Sequence, residues 1–330
     1  MRLALAGDTM LGREVGRVLA ADPGAPIFDE GVRAVAAEAD LFVANLECAV
    51  SDRGERWPDP DKPFFFRAPP VAAEVLADLG VDCVTLANNH ALDYGADALL
   101  DTLAHLDAAG IAAVGAGADE ATARAPAVLR AGALAVGVVP LTDHPVDYAA
   151  GPARPGVAYA DLRRGVPTWV TDAIAGLGTD VVVAAPHWGP NMVAEPVGHV
   201  RAAAAVLRSA GATLVAGHSA HVFHGVDDRV LYDLGDFVDD YAAHPVLRND
   251  LGLLFLVTFD GATPVALEAV PLALDFCRTR LAADEDAAWV RARFRAACAA
   301  FGTRVGERDG RVTVELQPAA PSTRVPSAVT

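Results

Sequence analysis

Short apolar runs that stop abruptly at polar residues recur along this chain, and most lead into a helical pattern. Residues 1–6 form such a run ending at Gly7-Asp8, which predicts a buried strand delivering Asp8 at its carboxyl end. A helix is expected over 13–21. A second strand over 41–44 leads directly into Asn45-Leu46-Glu47, and the Pro- and charge-rich stretch 51–62 reads as a surface excursion. Pro69-Pro70 marks the start of a helix running to 79, and a strand over 82–87 ends in Asn88-Asn89-His90. Leu99, Leu103 and Leu106 then fall at helical spacing.

The second half repeats the order. Strands are expected over 128–130 and 134–141, followed by a Pro-, Gly- and Asp-rich loop over 142–156 that reads as substrate-facing. A helix over 166–177 leads to the β-branched run 181–183, which ends in Pro186-His187-Trp188-Gly189. A helix over 199–210 leads to a strand over 213–216 and then Gly217-His218-Ser219-Ala220-His221, where Gly217 is expected to bend the chain. Residues 251–259 and 265–272 read as strands of a second sheet, followed by a helix over 285–301. Residues 317–330 are expected to be a flexible tail. The pattern is that of an α/β fold, in which ligands bind outside the carboxyl ends of the strands.

Those ends carry Asp8, Asn45 with Glu47, Asn89 with His90, His187, and His218 with His221. Singly, each has an ordinary reading: Asp8 as a cap, Asn89 as a turn residue, His187 as a core histidine. Together they pair oxygen donors with imidazoles, a set suited to one or two divalent ions such as Mn, Zn, Fe or Mg. Asp233 and Asp236 are either partners that orient ligating histidines or turn residues. His224 and His244 read as structural or exposed, and His105 as lying on a helix face.

Composition narrows the partners. Of the 330 residues 53% are hydrophobic and 21% charged, enough for a sizeable core and against disorder. A formal net charge of -17 argues against nucleic-acid backbones and anionic membranes as partners. A small-molecule or peptide substrate remains, and an anionic one is compatible because bound cations invert the local field. Cys48, Cys83, Cys277 and Cys298 show no metal or disulfide spacing and are expected as buried thiols. The N-terminal apolar run is too short for a signal-peptide core and no stretch is long enough to span a bilayer, so a cytoplasmic protein is expected. Oligomeric state is not legible.

The stretches GDTMLGR, VANLECAVS, FRAPP, LANNHALDYGADALLDTL, AAPHWGP, VAGHSAHV and VLYDLGDF occur in an order that resembles the CapA family of poly-γ-glutamate capsule synthesis proteins, part of the calcineurin-like metallophosphoesterase superfamily. The resemblance covers residues 3 to 240. It implies that 1–316 form one domain, a metallophosphatase-like four-layer αββα sandwich of two mixed sheets flanked by helices. It also implies a dinuclear site with Asp8 and His221 on the first metal, Glu47 bridging or on the second, and Asn89, His187 and His218 completing the second. His90 would be the catalytic imidazole. Met10 stands where the superfamily's Asp-x-His has its histidine, Glu47 where a bridging Asp is usual, Asn191 where an acidic residue is common after HWG, and Ser219 where a further histidine is common.

Three functions fit this pattern. The first is metal-activated hydrolysis of a phosphoester or related bond, with His90 stabilising charge or protonating the leaving oxygen. The second is peptide epimerisation, in which cations stabilise an enediolate beside a C-terminal carboxylate, as in ribosomal-peptide biosynthesis. The third is a non-catalytic role in capsule or poly-γ-glutamate assembly.

Overall fold

The computed structural model describes residues 1–316; the flexible-tail expectation lies outside them. The first strand, Arg2–Thr9, is buried along almost its whole length, as an uninterrupted apolar run requires of a strand covered on both faces. It sits at the centre of a ten-stranded sheet. On one side lie the parallel strands Leu41–Leu46, Cys83–Thr85 and Ala112–Val114; on the other lie the antiparallel Leu251–Asp260 and Thr263–Asp275. The six-stranded sheet is built on Leu134–Thr142, Val181–His187 and Leu214–Ala216, all parallel.

This corrects one expectation from sequence. Residues 251–272 belong to the first sheet, because Leu3 pairs with Val257 and Leu5 with Phe255. Their apolar pattern announces strands but says nothing about which sheet they join.

The alternation of side chains across each strand builds the layers. Leu3, Leu5 and Val43 of the first sheet meet Val136, Val183 and Leu214 of the second in a core between the sheets. Ala4 and Ala6 face the other way, against Leu19, Val32 and Leu76 of the helices Arg13–Ala21, Glu30–Ala36 and Val71–Leu79. Val182 and Ala184 likewise meet Val170, Val200 and Leu207 of the helices Thr168–Gly176 and Gly198–Ser209. The molecule is therefore a four-layer αββα sandwich. The carboxyl ends of the parallel strands in both sheets open onto one place. All four cysteines are buried and free. Among the described residues, no helix is long and apolar enough to cross a membrane.

Candidate metal centre

The first sheet presents an amide-braced row of carboxylates. Asp8 is in register with Asn45 on one neighbouring strand and with Asp236 of the strand Asp236–Val238 on the other. The Asn45 side-chain amide donates to Asp8 Oδ1 at 2.7 Å, and its oxygen accepts from the Asn88 amide at 3.1 Å. Asn88 also donates to the Leu46 carbonyl at 2.8 Å and accepts from the His90 backbone N–H at 3.0 Å. Three strand ends are thus tied together by two asparagines. The Gly-Asp dipeptide recurs here: Asp8 N–H donates to the Gly235 carbonyl at 2.9 Å, and a Cβ on Gly7 would stand 1.9 Å from that same oxygen. Only glycine permits this approach, which sets Asp8 beside Asp236.

The second sheet presents imidazoles. His187 ends its strand and forms an isolated parallel bridge with His218, and the two rings stack with centroids 6.5 Å apart. The chain then reverses through Ser219 at φ 115° and His221 at φ 58°, not at Gly217 as the sequence suggests. Gly217 is needed for a different reason: a Cβ there would meet the Tyr232 carbonyl oxygen at 2.2 Å and Trp188 Nε1 at 2.5 Å. Asp233 holds the turn by accepting from the Ala220 and Gly235 N–H groups at 2.8 and 2.9 Å.

These rows converge on Glu47. Its Oε1 lies 3.9 Å from both His90 Nε2 and His187 Nε2, and its Oε2 lies 3.9 Å from His221 Nδ1. His221 Nδ1 is also 2.8 Å from Asp236 Oδ1 and 3.2 Å from Asp8 Oδ2. Ligand atoms of Asp8, His221 and Asp236 all lie within 4.8 Å of one another. Asn89 follows Asn88 into the same loop and accepts from Lys62 Nζ through its carbonyl at 2.9 Å.

Charge and burial are out of balance in this cluster. Both Glu47 oxygens, His187 Nε2, His218 Nδ1, Asn89 Oδ1 and Asp236 Oδ2 are buried with no hydrogen-bond partner. Such atoms are rare in folded proteins and call for an ion, water or ligand. Burial, reinforced by the Asp8 charge, holds Glu47 well above the usual carboxylate range. Burial pushes His187 well below its ordinary value and His218 down to about 4, leaving both neutral and able to ligate. Burial also opposes ionisation of Asp8, but the hydrogen bond and charge of His221 outweigh it and keep Asp8 below the usual range. An oxygen and imidazole set lacking partners fits a divalent cation of the Mn, Zn or Fe type.

His90 is held differently. Its Nδ1 lies 2.7 Å from Asp93 Oδ2, and the Phe66 ring stacks on the imidazole with centroids 4.0 Å apart. Asp93 also accepts from the Phe66 N–H at 2.6 Å, from the Tyr148 hydroxyl at 3.1 Å and from Lys62 at 3.0 Å. Burial lowers the His90 pKa, against the pull of Asp93.

The expected histidine of Asp-x-His is absent, and Met10 in its place is fully buried, with Sδ accepting from the Gly12 N–H. Asp236 is the residue that sequence reasoning left undecided; the repeated Gly-Asp was the signal available. Asn45 was named as a strand-end group but not as the brace of Asp8, and Asn88, Asp93 and Lys62 were not singled out. The loop expected to face substrate lies beside the centre: His144 borders cavities of about 420 and 220 Å³, the first also lined by Asn191 and the second by Lys62 and Asn89. His224 is buried with its Nε2 2.8 Å from the Val193 carbonyl oxygen, which accepts from it, while His244 is exposed.

Two mixed sheets flanked by helices, with a carboxylate and imidazole cluster at their shared end, make this an αββα sandwich with a candidate metal centre. The chain belongs to the bacterial capsule synthesis protein family PGA_cap, whose model matches residues 2–241. A probable polyglutamine synthesis accessory protein of Mycobacterium tuberculosis is 35% identical over 305 residues, 85% of this chain and 78% of that one. The PGA biosynthesis protein CapA of Bacillus subtilis is 28% identical over 240 residues, 71% of this chain and 62% of the other. A solved phosphatase of Mycoplasma pneumoniae aligns at a TM-score of 0.49 and 12% identity, covering 83% of this chain and 94% of its own. That last likeness is too distant to bear on chemistry.

Proposed function

We propose that this chain is a metal-dependent enzyme that hydrolyses a phosphoester or a related bond. The observation that carries the reading is the set of buried ligand atoms without partners around Glu47. Asp8, Glu47, Asn89, Asp236, His187, His218 and His221 are the residues assigned to hold one or two divalent cations. When bound, such cations supply Lewis acidity and neutralise the charge that accumulates on the reacting group.

The protein's own groups do the rest. Asn45 and Asn88 fix the Asp8 carboxylate and the His90 backbone, so the donor set is positioned before any ligand arrives. Asp93 accepts the Nδ1 proton of His90, which leaves Nε2 directed to the Glu47 side of the cluster. In the doubly protonated imidazolium, His90 Nε2 is assigned to hand its proton to the leaving oxygen, returning the ring to the neutral form with Nδ1–H on Asp93; its lowered pKa makes that cation the stronger acid and the minor form near neutrality. Relatives are named for polyglutamine, PGA and capsule synthesis, so a small molecule or peptide from such a pathway is the proposed setting.

The test pairs metal content of the purified chain with a turnover screen of phosphomonoesters and phosphodiesters in Mn, Mg and Zn. Bound metal, with turnover that disappears in His90→Ala, supports hydrolysis. Bound metal without turnover, but with solvent deuterium entering the Cα of a peptide's C-terminal residue, replaces hydrolysis by epimerisation. Absence of metal binding under all these conditions sinks the enzyme reading and leaves an assembly role.

A further inference from the structure

One wall of the centre contains groups with no part in the account above. Phe66, stacked on His90, lies 5.8 Å from Tyr241, and Tyr241 meets His221 edge-on at 5.5 Å. The two rings therefore bridge His90 and His221, two of the three imidazoles that face Glu47. Over them sits Arg13, its guanidinium 5.7 Å from Phe64, 5.8 Å from Phe66 and 6.0 Å from Tyr241. Cation to ring contacts of this kind hold an arginine in place without consuming its donors.

Arg13 uses one edge of its fork. Nε is 3.2 Å from Asp240 Oδ2, which also accepts from the Glu14 N–H at 2.9 Å. Its two Nη groups have no partner among the described residues, and the side chain is 36% exposed while Asp240 is fully covered. Arg13 adopts φ 47° at the first residue of its helix. The Tyr241 hydroxyl is the complementary feature: it is buried and has no hydrogen-bond partner. A tyrosine phenol carries its proton at neutral pH, so this hydroxyl is a donor.

We propose that Arg13 and Tyr241 form a subsite for a terminal oxyanion of the substrate, a phosphate or a carboxylate, beside the metal centre. The planar Nη pair matches two oxygens of such a group, and the phenol donates to a third contact. The subsite deepens the enzyme reading, since it names the chemical class of substrate for the same centre, but anion binding by Arg13 does not itself require the metal.

The experiment is calorimetric titration of the full chain, with and without Mn(II), using inorganic phosphate and succinate as separate probes. Wild type is expected to bind at least one probe, and Arg13→Gln to weaken it at least about ten-fold, the loss of a charge-assisted bidentate contact. Arg13→Lys should recover part of that loss, Tyr241→Phe should weaken binding several-fold, and Mn content should not change. An Arg13 effect on phosphate alone identifies a phosphoryl group; an effect on succinate alone identifies a carboxylate. If Arg13→Gln does not fold by circular dichroism, Arg13→Lys and Tyr241→Phe decide the matter. Wild type binding neither probe, or all folded variants binding as wild type does, overturns the proposal. Failure of wild type to take up Mn sinks the enzyme reading instead, and the metal-free titrations still decide this one.

Discussion

His90 and His221 each place Nδ1 against a carboxylate, at 2.7 Å from Asp93 and 2.8 Å from Asp236, yet their proton affinities move in opposite directions. Burial disfavours the charged form of both. For His221 the charges of Asp236 and Glu47 overcome it and hold the imidazole well above its ordinary value, whereas His90 stays below. The difference lies in what else surrounds the carboxylate. Asp93 is already matched by Lys62, Tyr148 and a backbone N–H, while His221 faces the three carboxylates Asp236, Asp8 and Glu47. A hydrogen-bond partner therefore does not set the proton state; the uncompensated charge around it does. A compensated pair suits proton transfer. An uncompensated one keeps a proton only until a stronger cation displaces it.

The largest expected effect tests the role given to the compensated pair. His90→Ala should lower turnover by about 10²–10⁴, the usual range for a lost acid or base, while metal content by atomic absorption stays at the wild-type level. Loss of metal in that variant would make His90 a ligand and remove the contrast with His221.

Next in size is the source of the compensation. Lys62→Met leaves a buried Asp93 short of its counter-charge, and stability to urea should fall by about 3–5 kcal/mol. Lys62 is among the charges that lower the His90 pKa, so proton NMR of the metal-free variant should find the imidazole titrating higher than in wild type. An unchanged titration would mean that burial alone separates the two histidines.

Lys62 also illustrates where sequence reading stops. Its neighbours in 51–62 are Pro and charged residues, and most are exposed as expected, but its own side chain is only 12% exposed. Local pattern cannot reveal one inward-turning residue in an outward-turning segment. The strand ends were legible because an apolar run that stops at Asp8 or His187 leaves little doubt where the strand delivers its next side chain. Asp236 was less so: the strands Val226–Asp227, Val230–Leu231 and Asp236–Val238 are two or three residues long and interleaved with buried Asp233 and Asp239, so no apolar run marks them. The turn at Ser219 and His221 was hidden for another reason. Positive φ is expected of glycine, and here the strain falls on neighbours that Asp233 and Asp8 hold in place through backbone N–H groups.

A third histidine provides a control for both pairs. His224 is buried with a carbonyl partner and no carboxylate, and burial pushes its pKa down to about 4. The folded value lies below the ordinary one of about 6.5, so the unfolded chain binds the proton first as pH falls. The stability contributed by neutral His224 should be complete above pH 6.5 and lost as pH drops toward 4, about 3 kcal/mol in all. Urea unfolding of metal-free wild type and His224→Leu across that window should show the variant with the flatter profile; parallel profiles would mean that the site histidines dominate the acid edge.

The smallest expected effect cuts closest to the comparison, because it changes one atom on each side of it. Asp236→Asn removes a negative charge from the uncompensated pair and should weaken metal binding about 10–100-fold, read by isothermal titration with Mn(II). Turnover should return once metal is raised to saturation. Asp93→Asn removes the equivalent charge from the compensated pair, so metal affinity should hold while turnover falls and does not recover with added metal. Thermal unfolding provides an independent reading: metal at a hundred times its dissociation constant stabilises the folded chain by about 2.7 kcal/mol, and each ten-fold loss of affinity removes about 1.4 kcal/mol of that. Asp236→Asn should therefore lose most of the metal-dependent shift and Asp93→Asn none. If the two variants lost it equally, the pairs would be parts of one undivided ligand set, and the separation of proton handling from cation holding would have to be abandoned.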